Sequence, residues 1–560
     1  MRPSFWALSL PLALAALPAF ADTLVDNVDG LTLDDKGRIE RFSGLVIDND
    51  GKVKTLLRRG DKRPAKIDYQ VDGKGRVAMP GLVDSHVRVM ELGLSTLTLD
   101  LTPARSLAEA QARVAAWAQA HGDKPWILGS GWNAQAWGLA KPPTAADLDA
   151  VVSNRPVWLL DADGAVGWAN SAALAAANVT ATSKDPAGGR IDRIAGTTRP
   201  AGTLAGNALA LVERMVPAPR PEDRDLAFAA AQQALLERGI TAVADMGATI
   251  EDWQSYRRAG DAGSLRLRVM AYADGAEAMA LIAGPGPTPW LYAARLRMGG
   301  VLLRADGALA SHGALLKAPY ADGGNGLALM GEAQMRNLMS RAAIDNFQIA
   351  VQASGDAAVG ATLAAFGELS QTYKGDRRWR IEGVDRIDPA DAAAFGRLGA
   401  FASLQPSRVA TERATLEARL GPDRLGGVQA WKTLAGGGAG LAFGSGAPGR
   451  LPDPFAGLAA ATTRQDADAQ PFGGWQPQER LDRDSAIAAY TAGGARAAFA
   501  EDRFGRLARG QQADFILLDR DPTLATPAEL RGTRVLQVWI GGRLAWEGAK
   551  DSKPSAAPGR

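Results

Sequence analysis

Hydrophobic and polar positions along this chain follow two different rhythms. Near the start, Gly44-Leu45-Val46-Ile47 and Lys52-Val53-Lys54-Thr55-Leu56-Leu57 are short β-type runs separated by Asp48-Asn49-Asp50-Gly51. Turn residues between two such runs predict an antiparallel hairpin. The far end has the same texture over 513–519 and 535–540, the latter closed by Gly541-Gly542. A small β domain assembled from both ends is therefore expected. In between, strand-length apolar stretches at 126–128, 241–245, 265–269, 348–352 and 440–444 alternate with helical stretches rich in Ala, Leu and Arg. The helical stretches run over 106–121, 222–238, 332–344 and 389–398. Repeated β-then-α units favour a parallel α/β barrel. A doubly wound sheet is the competing architecture, but no Gly-rich dinucleotide loop follows an early strand.

Composition narrows the setting. Arg2, the apolar run Phe5 to Leu17 and the small-x-small triplet Ala19-Phe20-Ala21 predict an export signal over 1–21. The apolar run is too short to span a bilayer as a helix, and no later stretch is long and apolar enough, so no stable membrane insertion is expected. The expected location is periplasmic or secreted. The chain has no cysteine, which excludes disulfides, thiolate metal sites and lipid attachment through cysteine. A formal charge of +2, with no basic stripe, gives no reason to expect a nucleic-acid partner; the expected partner is a small molecule. The expected layout is 22–78 and 501–547 for the β domain, 79–500 for the barrel with an insertion, and a disordered tail over 548–560.

Several stretches carry candidate chemistry. Met79-Pro80-Gly81-Leu82-Val83-Asp84-Ser85-His86-Val87-Arg88 reads as a strand ending in a broken His-x-His pair. In an intact pair, alternate strand residues face one side and both imidazoles reach one metal ion. Arg88 cannot donate a lone pair. Further on stand Gly131-Trp132-Asn133, Pro143 to Asp149, Gly167 to Leu174, Ala305-Asp306-Gly307-Ala308-Leu309, Gly355-Asp356-Ala357-Ala358, Arg380-Ile381-Glu382, Gly444-Ser445 and Gly510 to Phe515. Together and in this order, over nearly the whole chain beyond the signal, these stretches resemble the amidohydrolase superfamily, and within it the amidohydrolase family 3 group.

The resemblance implies a distorted TIM-type (β/α)8 barrel with a small β-sandwich built from both termini. It also implies metal-dependent hydrolysis of non-peptide C–N bonds, with zinc or a similar ion activating water. The ligands it implies are a His-x-His pair, a carboxylated lysine, two more histidines and an aspartate. Carried over position by position, the first histidine is His86 and the second is Arg88. The lysine position holds Leu302, the third histidine Gln352, the fourth Gly383 and the aspartate Gly446; a further family histidine falls at Ala165.

The readings of this pattern diverge. In the first, the chain is a metal-free pseudoenzyme that binds a small, perhaps anionic, ligand and needs no cofactor. Arg88 and Arg304 would then grip a carboxylate or phosphate bidentately, with Gln352 and Trp132 beside them. In a plainer form of that arrangement, each arginine pairs with Asp84, Asp306 or Glu382 and fills vacated space. In the second reading the chain hydrolyses C–N bonds, through a rearranged zinc site or through metal-free acid–base chemistry from His86, Asp306, Glu382 and His312. Trp132, Trp137 and Trp168 are expected to wall a pocket, and His121 to cap a helix C-terminus. A structural or interaction module is a third possibility, for which the sequence offers no specific feature.

Overall fold

The computed structural model describes residues 22–548 except 162, 163, 165, 187, 188, 450 and 451. The expected signal, Ala165 and tail residues 549–560 lie outside the described residues. Eight parallel strands form the central sheet: β1 Leu82–Val87, β2 Ile240–Ala248, β3 Arg268–Asp274, β4 Leu296–Arg304, β5 Gln348–Ala353, β6 Arg380–Gly383, β7 Phe401–Leu404 and β8 Gly440–Phe443. They pair in chain order from β1 to β8. The circle closes just beyond β8, where Val87 bridges Ala447 and the N–H of Gly446 donates to the His86 carbonyl.

Strand residues alternate between two environments. Val243, Val269, Val301, Val351 and Ile381 belong to the large core shared with the surrounding helices. Their neighbours Ala242, Ala244, Met270, Leu302 and Ala350 belong to a separate cluster that fills the barrel. A period of two produces that split, and it explains why these strands read as nearly continuous apolar runs. Among the outer helices, α1 Val89–Thr96 packs closely on α2 Pro221–Glu237. The contact requires Gly93, because a Cβ there would land on the Ala227 carbonyl.

Strands from both ends form one eight-stranded sheet, in the order 543–547, 535–540, 515–518, 77–80, 23–33, 39–47, 53–57, with 69–72 also pairing 23–33. The expected hairpin is present, with Ile47 opposite Val53. One apolar cluster joins Val25, Leu45 and Val53 to Phe515, Leu517 and Trp539. The insertion follows β1 and builds a six-stranded sheet of its own, with strands between Leu99 and Gly206. The stretch 126–128, read from sequence as part of the barrel's β-then-α series, belongs to this sheet, in strand Ile127–Trp132. Its neighbour is Val157–Asp161, which the sequence reading did not single out.

Candidate ligand site at the barrel mouth

His86 leaves the C-terminal end of β1, and its Nδ1 lies 2.7 Å from Glu382 Oε2 on β6. Glu382 is fully buried, and its other oxygen accepts from Arg380 Nε at 2.8 Å. Burial raises the Glu382 carboxyl, but the Arg380 charge and the His86 hydrogen bond outweigh it and hold the group below its ordinary value. Arg380 also donates to the Ser85 carbonyl at 2.7 Å, to Ser403 Oγ at 3.2 Å and to the Tyr272 hydroxyl at 3.1 Å. Tyr272 in turn donates to Gln348 Oε1 at 2.5 Å. A polar thread therefore runs inside the barrel from β1 at the mouth to the start of β5. Asp84 accepts the N–H groups of His86 and Ser445, and burial pushes its carboxyl up.

The two arginines converge, but not on the partners considered from sequence. Arg88 is the residue before α1 and pairs with Glu91 on that helix. Arg304 ends β4 and pairs with Asp274 at the end of β3. Neither ion pair involves Asp84, Asp306 or Glu382, so that part of the sequence reading is corrected. A residue at a helix N-terminus meets the position three further on, and Asp274 stands beside Leu302 in the sheet register. The remaining guanidinium edges meet over Gly247. Arg304 Nη2 lies 3.3 Å, and Arg88 Nε 3.8 Å, from where a Cβ on that residue would stand, with Leu302 Cδ2 also at 3.8 Å. Gly247 has φ of +112°, a conformation that suits glycine and leaves this spot bare. Across the sheet, Arg304, Gln352 and Glu382 stand in register on β4, β5 and β6.

Other candidates take different places. Asp306 is buried, and its carboxylate accepts three backbone N–H groups, from Ser354, Gly355 and Leu315 at 2.8–2.9 Å. Burial raises it to about 6 against those hydrogen bonds. It ties the segment after β4 to the end of β5. His312 stacks on Tyr320, with ring centroids 4.4 Å apart, and lies 3.1 Å from Asp322; its ring and ion-pair contacts do not include His86. Trp132 is buried, donates to the Leu159 carbonyl and packs edge-on against Trp168. Trp132, Trp137 and Trp168 form the core of the insertion sheet rather than a pocket wall. His121 caps its helix as expected, accepting no role at the mouth: its ring nitrogen lies 3.1 Å from the Trp117 carbonyl.

The side chains at this mouth do not fit the zinc that the resemblance implies. Among the described residues, no three His, Cys, Asp or Glu side chains stand together so as to hold a metal ion. Leu302 is packed into the apolar barrel interior, and Gln352 and Arg88 are poor or impossible donors to a divalent cation. Missed from sequence were Arg380 as the hub, Glu91, Asp274 and Gly247. The Arg88–Glu91 spacing is the one signal that could have revealed a pair.

A parallel barrel whose polar groups gather at the C-terminal ends of its strands defines the class, that of the TIM-type barrels that carry their sites at that face. The comparisons make the class specific. The amidohydrolase family 3 model (Amidohydro_3, described as "Amidohydrolase family") matches residues 70–545, and the chain belongs to that family. It is 30% identical over 493 residues to Protein LONG AFTER FAR-RED 3 of Arabidopsis thaliana, covering 85% of this chain and 83% of that protein. It is 29% identical to the putative amidohydrolase YtcJ of Bacillus subtilis, covering 89% and 95%. The crystal structure of an uncharacterized metal-dependent hydrolase from Pyrococcus horikoshii OT3 superimposes with a TM-score of 0.75 at 26% identity, covering 90% and 99%.

Proposed function

We propose that this chain is an exported amidohydrolase-family protein that binds a small polar ligand at the barrel mouth without metal-dependent hydrolysis. The observation that carries this reading is the convergence of Arg88 Nε and Arg304 Nη2 on the bare backbone of Gly247. Each guanidinium has five N–H donors, so pairing with Glu91 or Asp274 leaves donors for a ligand oxygen. A carboxylate, phosphate or strongly polarised carbonyl suits such a pair. Family membership supports a ligand of the non-peptide amide class, and His86 stands on the same rim to contact it. Export is supported by Arg2, the apolar run Phe5 to Leu17 and Ala19-Phe20-Ala21. Among the described residues no helix is long and apolar enough to cross a membrane.

One observation favours a second reading, metal-free hydrolysis of a C–N bond. The Glu382 carboxylate fixes His86 through Nδ1, which leaves Nε2 for proton transfer at the mouth. Asp306 has no part in that chemistry, because its oxygens are taken by backbone N–H groups.

The experiment is a metal and turnover assay on the purified protein. It is incubated with zinc, freed of excess ion, analysed by elemental mass spectrometry, and assayed on a panel of N-acyl and N-formyl amides. Substoichiometric zinc, unaffected by His86→Ala, together with no turnover is the expected result. Zinc near one per chain that disappears in His86→Ala would overturn the proposal. Turnover without metal, abolished by His86→Ala, would replace it with the second reading.

A further inference from the structure

A cavity of about 340 Å³ opens on the opposite side of the barrel from His86, at the N-terminal ends of β3, β4 and β5. Its lining includes Arg297 at the start of β4, Asn346 and Gln348 at the entry to β5, and Lys374 and Arg377 in the segment before β6. Its volume falls within the range of small-molecule sites.

The charges around it are unbalanced. Arg297 is half-buried, its Nε is out of solvent with no hydrogen-bond partner, and it has no carboxylate within ion-pair distance among the described residues. Burial pulls its guanidinium below the usual value. Arg377 has no carboxylate either. Its N–H groups go to the carbonyls of Lys374 and Ala343 and to Asn346 Oδ1, so the side chain is braced at the cavity wall without being neutralised. Lys374 is exposed and unpaired among the described residues. The acid in the lining, Asp376, is engaged by Arg378, which also pairs with Glu501. Three other shielded arginines have a carboxylate, Arg268 with Asp514, Arg380 with Glu382 and Arg386 with Asp356, whereas the buried Arg464 is held by the Trp475 and Gln429 carbonyls. A cation withdrawn from water without a counter-charge is costly, and a bound anion would supply the missing partner.

We infer that this cavity is a second binding site, for a small oxyanion of the phosphate or carboxylate class, gripped by Arg297 and Arg377 with Lys374 at its entrance. Arginine presents the planar fork that such oxyanions match, and lysine adds a mobile point charge. The inference is independent of the proposed function, because none of these residues lies at the barrel mouth. The cavity also reaches the polar thread, since Tyr272 and Gln348 line it and Tyr272 accepts from Arg380.

The test is isothermal titration of the full chain with inorganic phosphate and, separately, with succinate. Saturable binding of at least one of them is expected at a site that persists in Arg88→Gln, where the mouth's own oxyanion grip is removed, and whichever binds there identifies the phosphoryl or the carboxylate form. Arg297→Gln should weaken it by about tenfold or more, the size of one lost charge-assisted interaction. Lys374→Gln, a change at an exposed side chain, should weaken this Arg88-independent binding several-fold. A flat titration with both anions up to tens of millimolar overturns the inference. So does binding in the Arg88→Gln chain that survives the addition of both Arg297→Gln and Lys374→Gln.

Discussion

Replacing Glu382 by glutamine tests the centre of the barrel most directly. Glu382 and Arg380 are both fully inaccessible and 2.8 Å apart, and His86 leans on the other carboxylate oxygen at 2.7 Å. Glutamine keeps the shape but removes the negative charge and puts an NH₂ group against one of two donors. Breaking a buried pair by altering one partner costs about 3–5 kcal/mol, because the remaining charge stays buried. The neutral hydrogen bond that glutamine retains offsets only about 1 kcal/mol of that. Glu382→Gln should therefore lower unfolding stability by about 2–4 kcal/mol at neutral pH, read by urea denaturation followed through tryptophan fluorescence. Because Glu382 is held below its ordinary value in the folded protein, its stabilisation is complete above the unfolded-state value of about 4.3 and fades as the pH falls through the lower folded value. The gap between wild type and variant should shrink in acid accordingly. Removing both charges, in Arg380→Met/Glu382→Leu, should recover part of the loss. A single-variant loss below about 1 kcal/mol, the range of exposed ion pairs, would refute the reasoning.

Further consequences can be measured in the same protein. Asp245 accepts the Val89 N–H and the Tyr256 hydroxyl, and burial raises it to about 7. The folded chain then holds a proton that the unfolded chain has lost, so stability should fall as pH rises from about 4 to about 7; Asp245→Asn should flatten that slope, and an unchanged slope would count against it. Gly93→Ala drives a methyl into the Ala227 carbonyl and should destabilise the α1–α2 contact by at least 1–3 kcal/mol, roughly the penalty for overpacking, in thermal melts. Arg88→His rebuilds the His-x-His pattern, yet Leu302 and Gln352 still supply no anionic or imidazole donor. Elemental analysis should find no stoichiometric zinc in that variant, and a full equivalent would contradict the account of the site.

Much of the fold can be read along the chain because its determinants are local. The helix Glu332–Ile344 and the strands Gln348–Ala353 and Ile240–Ala248 follow directly from periodicity, and the hairpin follows from Asp48 to Gly51. What decides between barrel and insertion is strand pairing, which is not local. Ile127–Trp132 looks like any parallel strand until Val157–Asp161 is found beside it. The site divides the same way. His86 and Arg88 stand out because a family pattern surrounds them, but His86 meets a partner 296 positions away. Arg304 belongs with Asp274 only because β3 and β4 are neighbours. Trp132 carries no mark in the sequence to separate a core indole from one that lines a pocket. Arg380 was visible as a flanking residue, and only the geometry reveals it as a hub.

The clasp between the two ends of the chain ties the barrel to the β domain. Strand 77–80 stands between 23–33 and 515–518, and Arg268, at the start of β3, has its counter-charge in Asp514 at 2.5 Å. Without Asp514 and the strand after it, the folded barrel would hold Arg268 buried with no counter-charge and the amino-terminal strands would keep an open edge. The last segment thus works as a keystone, and a chain cut short before it lacks the means to lock either part. Locking of both parts therefore rests on a segment distant in sequence from most of the barrel, and on no residue at the barrel mouth.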